Sequence, residues 1–143
     1  MFPYKILTVG PVFFGQLQRV NPQGFVTNCT WQTSLLQDNW LGMYCNNDDW
    51  ADYSYEWTWF DTNLCLVNNG GQLIAYDNGN YWPTCRNCTT LGSDVNYILN
   101  CICYQPDGQL APATYDLNLI LFNHNGSLGC FDHAGNKTKE GPI

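Results

Sequence analysis

The chain has 143 residues and 45% hydrophobic content, enough for one domain with a real core or two small fused halves. Five Lys and Arg against twelve Asp and Glu give a formal charge of -7, which excludes a partner whose phosphates must be neutralised and an anionic membrane surface. Eight cysteines in so short a chain indicate a disulfide framework in an oxidising, secreted or extracellular setting.

The N-terminus runs from Met1 to Lys5 into an apolar stretch at 6–15, like a shortened signal peptide and too short to cross a bilayer. Residues 1–21 are read as a leader or disordered extension. The domain is placed at 22–134, with a tail at 135–143.

Inside the domain two copies of one unit follow each other, about 25–78 and about 79–134. Each opens with Thr before or beside a cysteine, at Thr27-Asn28-Cys29 and at Pro83-Thr84-Cys85. A second cysteine follows 16 residues later, from Cys29 to Cys45 and from Cys85 to Cys101. Strands are predicted at 25–30, 35–36 and 41–45 in the first copy, with counterparts at 81–84, 89–91 and 97–104. A single helical turn is the other reading of 35–40.

The stretch 48–60 is crowded with rings and carboxylates. It reads as strand around Tyr53 to Trp59, with alternate rings on the core and Trp50 and Tyr53 left exposed, where ring faces can accept sugar C–H surface.

Each copy then carries Asp-x-Asn and a hairpin. The series Asp61, Asn63, Leu64, Asn68, Gly71, Leu73, Asp77 recurs as Asp116, Asn118, Leu119, Asn123, Gly126, Leu128, Asp132 at a constant 55 residues, as from Asp61 to Asp116. Apolar runs at 64–67 and 119–122 are the outgoing strands, and 72–76 and 127–131 return. Asn and Gly between them supply the positive φ of a tight turn. Asp61 and Asp116 are read as turn-makers that bind nearby backbone amides. Residues 77–80 form a polar hinge between the copies.

Four Asn-x-Ser/Thr triplets begin at Asn28, Asn87, Asn125 and Asn136, and Asn125 and Asn136 are the better glycosylation candidates because no cysteine occupies their middle position. The Cys85–Cys88 spacing also fits half a zinc site that Cys101 and Cys103 would complete. Disulfides are preferred, so no metal and no cofactor are expected. Catalysis is not expected either. Asp49, Asp52 and Glu56 could supply a glycosidase pair, but small repeats rarely build the cleft. His124 and His133 have no nucleophile pattern beside them.

The combined pattern resembles the cyanovirin-N homologues, a lectin family of cyanobacteria, fungi and ferns. Phe25, Cys29, Cys45, Asp61, Asn63, Asn68, Gly71 and Leu73 carry the resemblance in the first copy. Thr84, Cys85-Arg86-Asn87, Leu91, Cys101, Leu117-Asn118, Asn123, Gly126 and Leu128 carry it in the second. It implies an all-β fold of two pseudo-symmetric halves that exchange hairpins. Half A would join 25–60 to the hairpin 117–131, and half B would join 81–115 to the hairpin 62–76. It implies bridges Cys29–Cys45 and Cys85–Cys101. For the extra cysteines the expected pairs are Cys65–Cys88 and Cys103–Cys130.

The same resemblance implies a carbohydrate-binding lectin for mannose-rich glycans, with a shallow site in each half. Half A would use Thr27, Asn28, Asn46, Asn47, Asp48, Asn123, His124 and Asn125. Half B would use Asn68, Asn69, Asn80 and Thr84, but Val67, Pro83 and 102–104 depart from the family pattern, so this site is expected to be weak. Partners would be glycans or glycoproteins, with no nucleic acid and no membrane insertion. The protein would be a monomer or a dimer formed by exchange at the hinge. The rival reading is a secreted interaction or effector protein on the same scaffold.

Overall fold

A computed structural model describes residues 24–138, and the leader read at 1–21 lies outside them. Strands and short 3-10 turns make up the described residues, without an α-helix. β1 (Leu35–Gln37), β2 (Trp40–Asn46) and β3 (Tyr55–Asp61) form an antiparallel meander. β4 (Leu66–Asn69) and β5 (Gln72–Ala75) are the first hairpin. β6 (Cys85–Gly92), β7 (Tyr97–Tyr104) and β8 (Leu110–Asp116) repeat the meander. β9 (Phe122–His124), β10 (Ser127–Cys130) and β11 (His133–Ala134) form the last small sheet, and β12 (Asn136–Thr138) pairs with β3. Residues 136–138, read as part of a tail, thus become the fourth strand of the first sheet.

Three sequence readings of local structure change. Residues 25–30 and 81–84 begin as 3-10 turns, Phe25–Thr27 and Trp82–Thr84, rather than strands. Residues 35–40 form a hairpin rather than a helical turn, with Asp38 at a φ of 55° in its connection. The outgoing hairpin strands also start later than expected, because Thr62–Leu64 and Leu117–Leu119 are 3-10 turns.

Those turns explain the Asp-x-Asn motif. The Asp61 carboxylate accepts the Asn63 backbone N–H at 2.9 Å, and that of Asp116 accepts the Asn118 N–H at 3.0 Å. Each caps the start of its turn. The following Asn side chain then reaches into the other repeat. Asn63 Oδ1 accepts the Trp82 N–H at 2.9 Å, and Asn118 Oδ1 accepts the Val26 N–H at 3.1 Å. Val26 and Trp82 open the two copies, so one motif ties each repeat to its twin.

The hairpins are exchanged as expected. β9–β10 packs on β3, where the Leu128 N–H donates to Thr58 Oγ1 at 3.2 Å in a buried contact. β4–β5 packs on β8, and the Asn68 amide donates to the Tyr104 carbonyl at 2.9 Å. One continuous core results, including Phe25, Leu41, Phe60, Leu66, Tyr81, Leu99, Leu117 and Leu128. Phe25 and Tyr97, from different copies, meet edge-on at 5.4 Å between ring centroids. Tyr81 is fully buried, and burial pushes its pKa up to about 12 against the lowering effect of its 2.7 Å hydroxyl bond with Thr62. On the far face of β2, Gly42 is held against Trp57 and Trp59. A Cβ there would fall 2.5 Å from the Trp57 ring.

All eight cysteines form disulfides, which removes the zinc reading of Cys85, Cys88, Cys101 and Cys103. Cys29–Cys45 is as expected. The other expected pairs, Cys85–Cys101, Cys65–Cys88 and Cys103–Cys130, are replaced by Cys85–Cys103, Cys88–Cys101 and Cys65–Cys130.

The reason lies in register. Asp61 faces Trp40 and Asp116 faces Ile98. Moving the same distance along each strand leads from Trp40 to Cys45 and from Ile98 to Cys103. Cys103 is therefore the structural counterpart of Cys45, and the repeat does conserve its bridge. The loop it closes spans 18 residues instead of 16, because residues 93–96 close the second hairpin where Asp38 and Asn39 close the first. Cys101 and Cys103 share the inner face of β7, two residues apart. Cys85 and Cys88 are three apart and would face opposite ways in a regular strand. A bulge between Arg86 and Thr89, with Asn87 at a φ of 54°, brings Cys88 back opposite Cys101. Cys65–Cys130 joins the two hairpins to each other, across a sequence separation of 65.

Candidate functional site

At one end of the first sheet, the connection between β2 and β3 is organised by a buried asparagine. Asn47 Oδ1 accepts the N–H groups of Asp49 and Ser54, each at 3.1 Å. Its amide lies within hydrogen-bond distance of the Asp52 carbonyl (2.9 Å), Ser54 Oγ (3.2 Å) and Glu56 Oε2 (3.3 Å). Asp49 Oδ1 accepts the N–H groups of Ala51 at 3.0 Å and Asp52 at 3.3 Å. Asp48 bends the chain at a φ of 55°. The loop is thereby fixed by its own polar side chains, and it carries Trp50 at 94% exposure.

The turn between β9 and β10 comes alongside. Gly126 has a φ of 95°, so the turn calls for glycine, and a Cβ there would sit in ordinary contact, 3.4 Å from Asn47 Cα. Lys137 on β12 completes the wall. Its ammonium is 3.0 Å from Glu56 Oε1 and donates to the Asn125 carbonyl at 2.9 Å. The Lys137 hydrogen bond is the first cause holding the Glu56 pKa below the usual carboxylate value, and bonds from Asn47 and Ser54 act the same way against the opposing effect of desolvation. Asn47, Asp48, Asp49, Trp50, Glu56, Asn125 and Lys137 line an open depression of about 390 Å³, within the range of small-molecule sites, roughly 300–1,000 Å³.

The predicted half A residues separate into two groups. Asn28, Asn46 and Asn123 form one hydrogen-bonded chain. Asn46 is buried, its amide donates to Asn28 Oδ1 at 3.4 Å, and its carbonyl accepts the Asn123 amide at 2.9 Å. Asn123 also caps its own turn by accepting the Gly126 N–H at 2.9 Å. This chain fastens the hairpin to the sheet. Asn47, Asp48 and Asn125 line the depression. Thr27, exposed, donates to the Gly24 carbonyl at 3.2 Å, and His124 is exposed on β9. Glu56 and Lys137 were not foreseen as site residues. In the sequence Glu56 reads as a glycosidase carboxylate and as one of the carboxylates of the ring-rich stretch 48–60, and Lys137 falls in the segment read as a tail.

Half B repeats the fastening. Asn68 accepts the Gly71 N–H at 2.8 Å while holding Tyr104, the counterpart of the Asn123 arrangement. Thr84, exposed, donates to the Tyr81 carbonyl at 2.9 Å; Asn69 and Asn80 are exposed, Asn80 at a φ of 55°. The Arg86 guanidinium bonds the Tyr104 hydroxyl and lies 5.1 Å from the centroid of its ring. Glu56 faces Cys45, whereas its counterpart facing Cys103 is Ala111, so half B lacks the carboxylate. A second depression, lined by Gln72, Leu73, Pro112, Ala113 and Thr114, involves none of the predicted residues.

Among solved structures, the chain is similar to the NMR structure of the CVNH protein of Gibberella zeae, at 21% identity and a TM-score of 0.62, covering 75% of this chain and 96% of that one. It is also similar to a MoCVNH3 variant in complex with (N-GlcNAc)4, at 15% identity and a TM-score of 0.64, covering 79% and 100%. The microvirin:mannobiose complex matches at 19% identity and a TM-score of 0.63, covering 77% and 100%. No curated protein matches. A family model, the CVNH domain, matches residues 25–135. The chain belongs to the CVNH family, the cyanovirin-N homologue lectins, which bind carbohydrate and are not enzymes.

Proposed function

We propose that this protein binds mannose-rich glycans through the depression in half A, with half B contributing little. The observation that carries the reading is the convergence of Asp48 and Asn125 on one open surface that the buried Asn47 holds rigid. Sugar hydroxyls require fixed short donors and acceptors of this kind. Similar folds have been solved with mannobiose and with (N-GlcNAc)4 bound, which supports a glycan ligand here. Four disulfides support work in an oxidising, secreted setting.

A glycan array with oxidised protein tests the proposal. Asp48→Gly with Asn125→Gly keeps both positive-φ positions unstrained and removes their polar atoms. Mannose-rich glycans should bind the wild type and lose at least about tenfold in affinity in the double variant, a change of about 1.4 kcal/mol. Silence of the wild type across the array would replace this reading by a non-lectin interaction protein.

A further inference from the structure

Part of the half A depression is built from elements that the repeat does not supply. Trp50 stands on the connection between β2 and β3, Glu56 is replaced by Ala111 in the twin, and Lys137 comes from β12, beyond the second copy. We infer that Trp50, Glu56 and Lys137 form an additional subsite that receives a second, neutral pyranose of an extended glycan, stacked on Trp50 and hydrogen-bonded through adjacent hydroxyls to Glu56 and Lys137. The inference rests on the lectin reading and deepens it.

Three features argue for a ligand. First, the indole of Trp50 is almost wholly in solvent, while the loop beneath it is pinned by Asn47 and Asp49. A broad apolar face on a pinned backbone beside polar groups matches the two-sided chemistry of a sugar ring. Little backbone freedom remains to be lost on binding. Second, the Lys137–Glu56 pair retains hydrogen-bonding capacity. The ammonium has three donors, of which two reach Glu56 and Asn125, and the Glu56 carboxylate accepts from Lys137, Asn47 and Ser54 with one of its roughly four lone-pair sites still to offer. A donor and an acceptor side by side suit two neighbouring hydroxyls. Third, charge sets the class. Asp48, Asp49 and Glu56 outnumber Lys137 on the lining, so an anionic sugar meets net repulsion and a neutral one does not.

The test titrates the oxidised protein with linear mannose oligosaccharides from disaccharide to pentasaccharide, and with an oligogalacturonate of matching length. Calorimetry gives affinity, and the Trp50 indole N–H resonance reports contact. Affinity should rise with chain length in the wild type, with the Trp50 resonance moving. Trp50→Ala should lower affinity for the longer oligosaccharides by about threefold to tenfold and leave the disaccharide within about twofold. Glu56→Gln and Lys137→Met should weaken the same longer ligands. Trp50 is exposed, so its variant should melt with the wild type and keeps the test interpretable. Mannose binding that is unaffected by all three substitutions would overturn the subsite and leave the lectin reading standing. Preference for the oligogalacturonate would overturn the neutral-sugar assignment. Failure of every mannose ligand to bind wild type would remove the lectin reading, and the subsite with it.

Discussion

Replacing Cys65 and Cys130 together by alanine removes the one bridge that joins hairpin to hairpin. Its loop spans 65 residues, whereas Cys88–Cys101 closes only 13. Chain-entropy reasoning gives about 4.3 kcal/mol for the long loop and about 2.9 kcal/mol for the short one. The difference of about 1.4 kcal/mol corresponds to about 6 °C in Tm at roughly 4 °C per kcal/mol for a domain of this size. Packing pushes the same way, since Cys65 and Cys130 are both fully buried while Cys88 is partly exposed. Calorimetric melting of the two double variants, with non-reducing peptide mapping of the wild type, is the assay. Equal melting temperatures, or a lower one for the Cys88→Ala/Cys101→Ala protein, would refute the reasoning. So would recovery of a Cys103–Cys130 peptide.

Alkaline pH should destabilise the fold through Tyr81, whose folded pKa of about 12 lies above its ordinary value of 10.0. The stabilisation is complete below the unfolded value and is lost as pH rises from 10.0 towards about 12. Tyr81→Phe should reduce that pH dependence in denaturant melts, leaving the share of Tyr97, whose pKa burial also raises, while costing about 1 kcal/mol at neutral pH for the lost Thr62 bond. For Glu56 the sign is opposite: its pKa is lowered, so its contribution is present above the ordinary carboxylate value and falls away as pH drops through the folded one. Lys137→Met should move the Glu56 titration upward in a carboxyl-detected NMR series. Asn63→Ala and Asn118→Ala should each cost about 1–3 kcal/mol by orphaning the Trp82 or Val26 N–H, measured by urea unfolding. Gly42→Ala should lower Tm sharply by forcing Trp57 and Trp59 from their places.

The sequence was most legible where the chain repeats its own chemistry. Asp61 and Asp116 announced turns because a short carboxylate two residues before a backbone N–H has one obvious use. Asn68-Asn69-Gly70-Gly71 and Asn123-His124-Asn125-Gly126 announced hairpins because their turns need positive φ. The exposure of Trp50 and Tyr53, at 94% and 59%, also followed from local pattern. Legibility ended where a side chain's direction depended on a register shift. Asn87 in the left-handed region is one residue, yet it turns Cys88 to the face of Cys101 and changes the pairing of three bridges.

The candidate site was half legible for a related reason. The asparagines around Cys29 and Cys45 were visible, but their polarity serves equally to fasten a hairpin and to meet a ligand. Only their hydrogen bonds showed Asn46 and Asn123 committed to the first task, with Asp48 and Asn125 set on the surface.

By itself, then, the sequence determined the strand class, the duplication and the turns; the bridge Cys29–Cys45 was implied by the family resemblance, and the same 16-residue spacing misled at Cys85–Cys101. Strands and turns depend on spacing within about twenty residues, where backbone geometry leaves few choices, and the duplication shows as the same series recurring 55 residues on. Tertiary structure decided Cys65–Cys130, the joining of β12 to β3 and the meeting of Glu56 with Lys137. These join residues far apart in the chain, brought near only after each hairpin has crossed to the other half, and no local spacing encodes that distance.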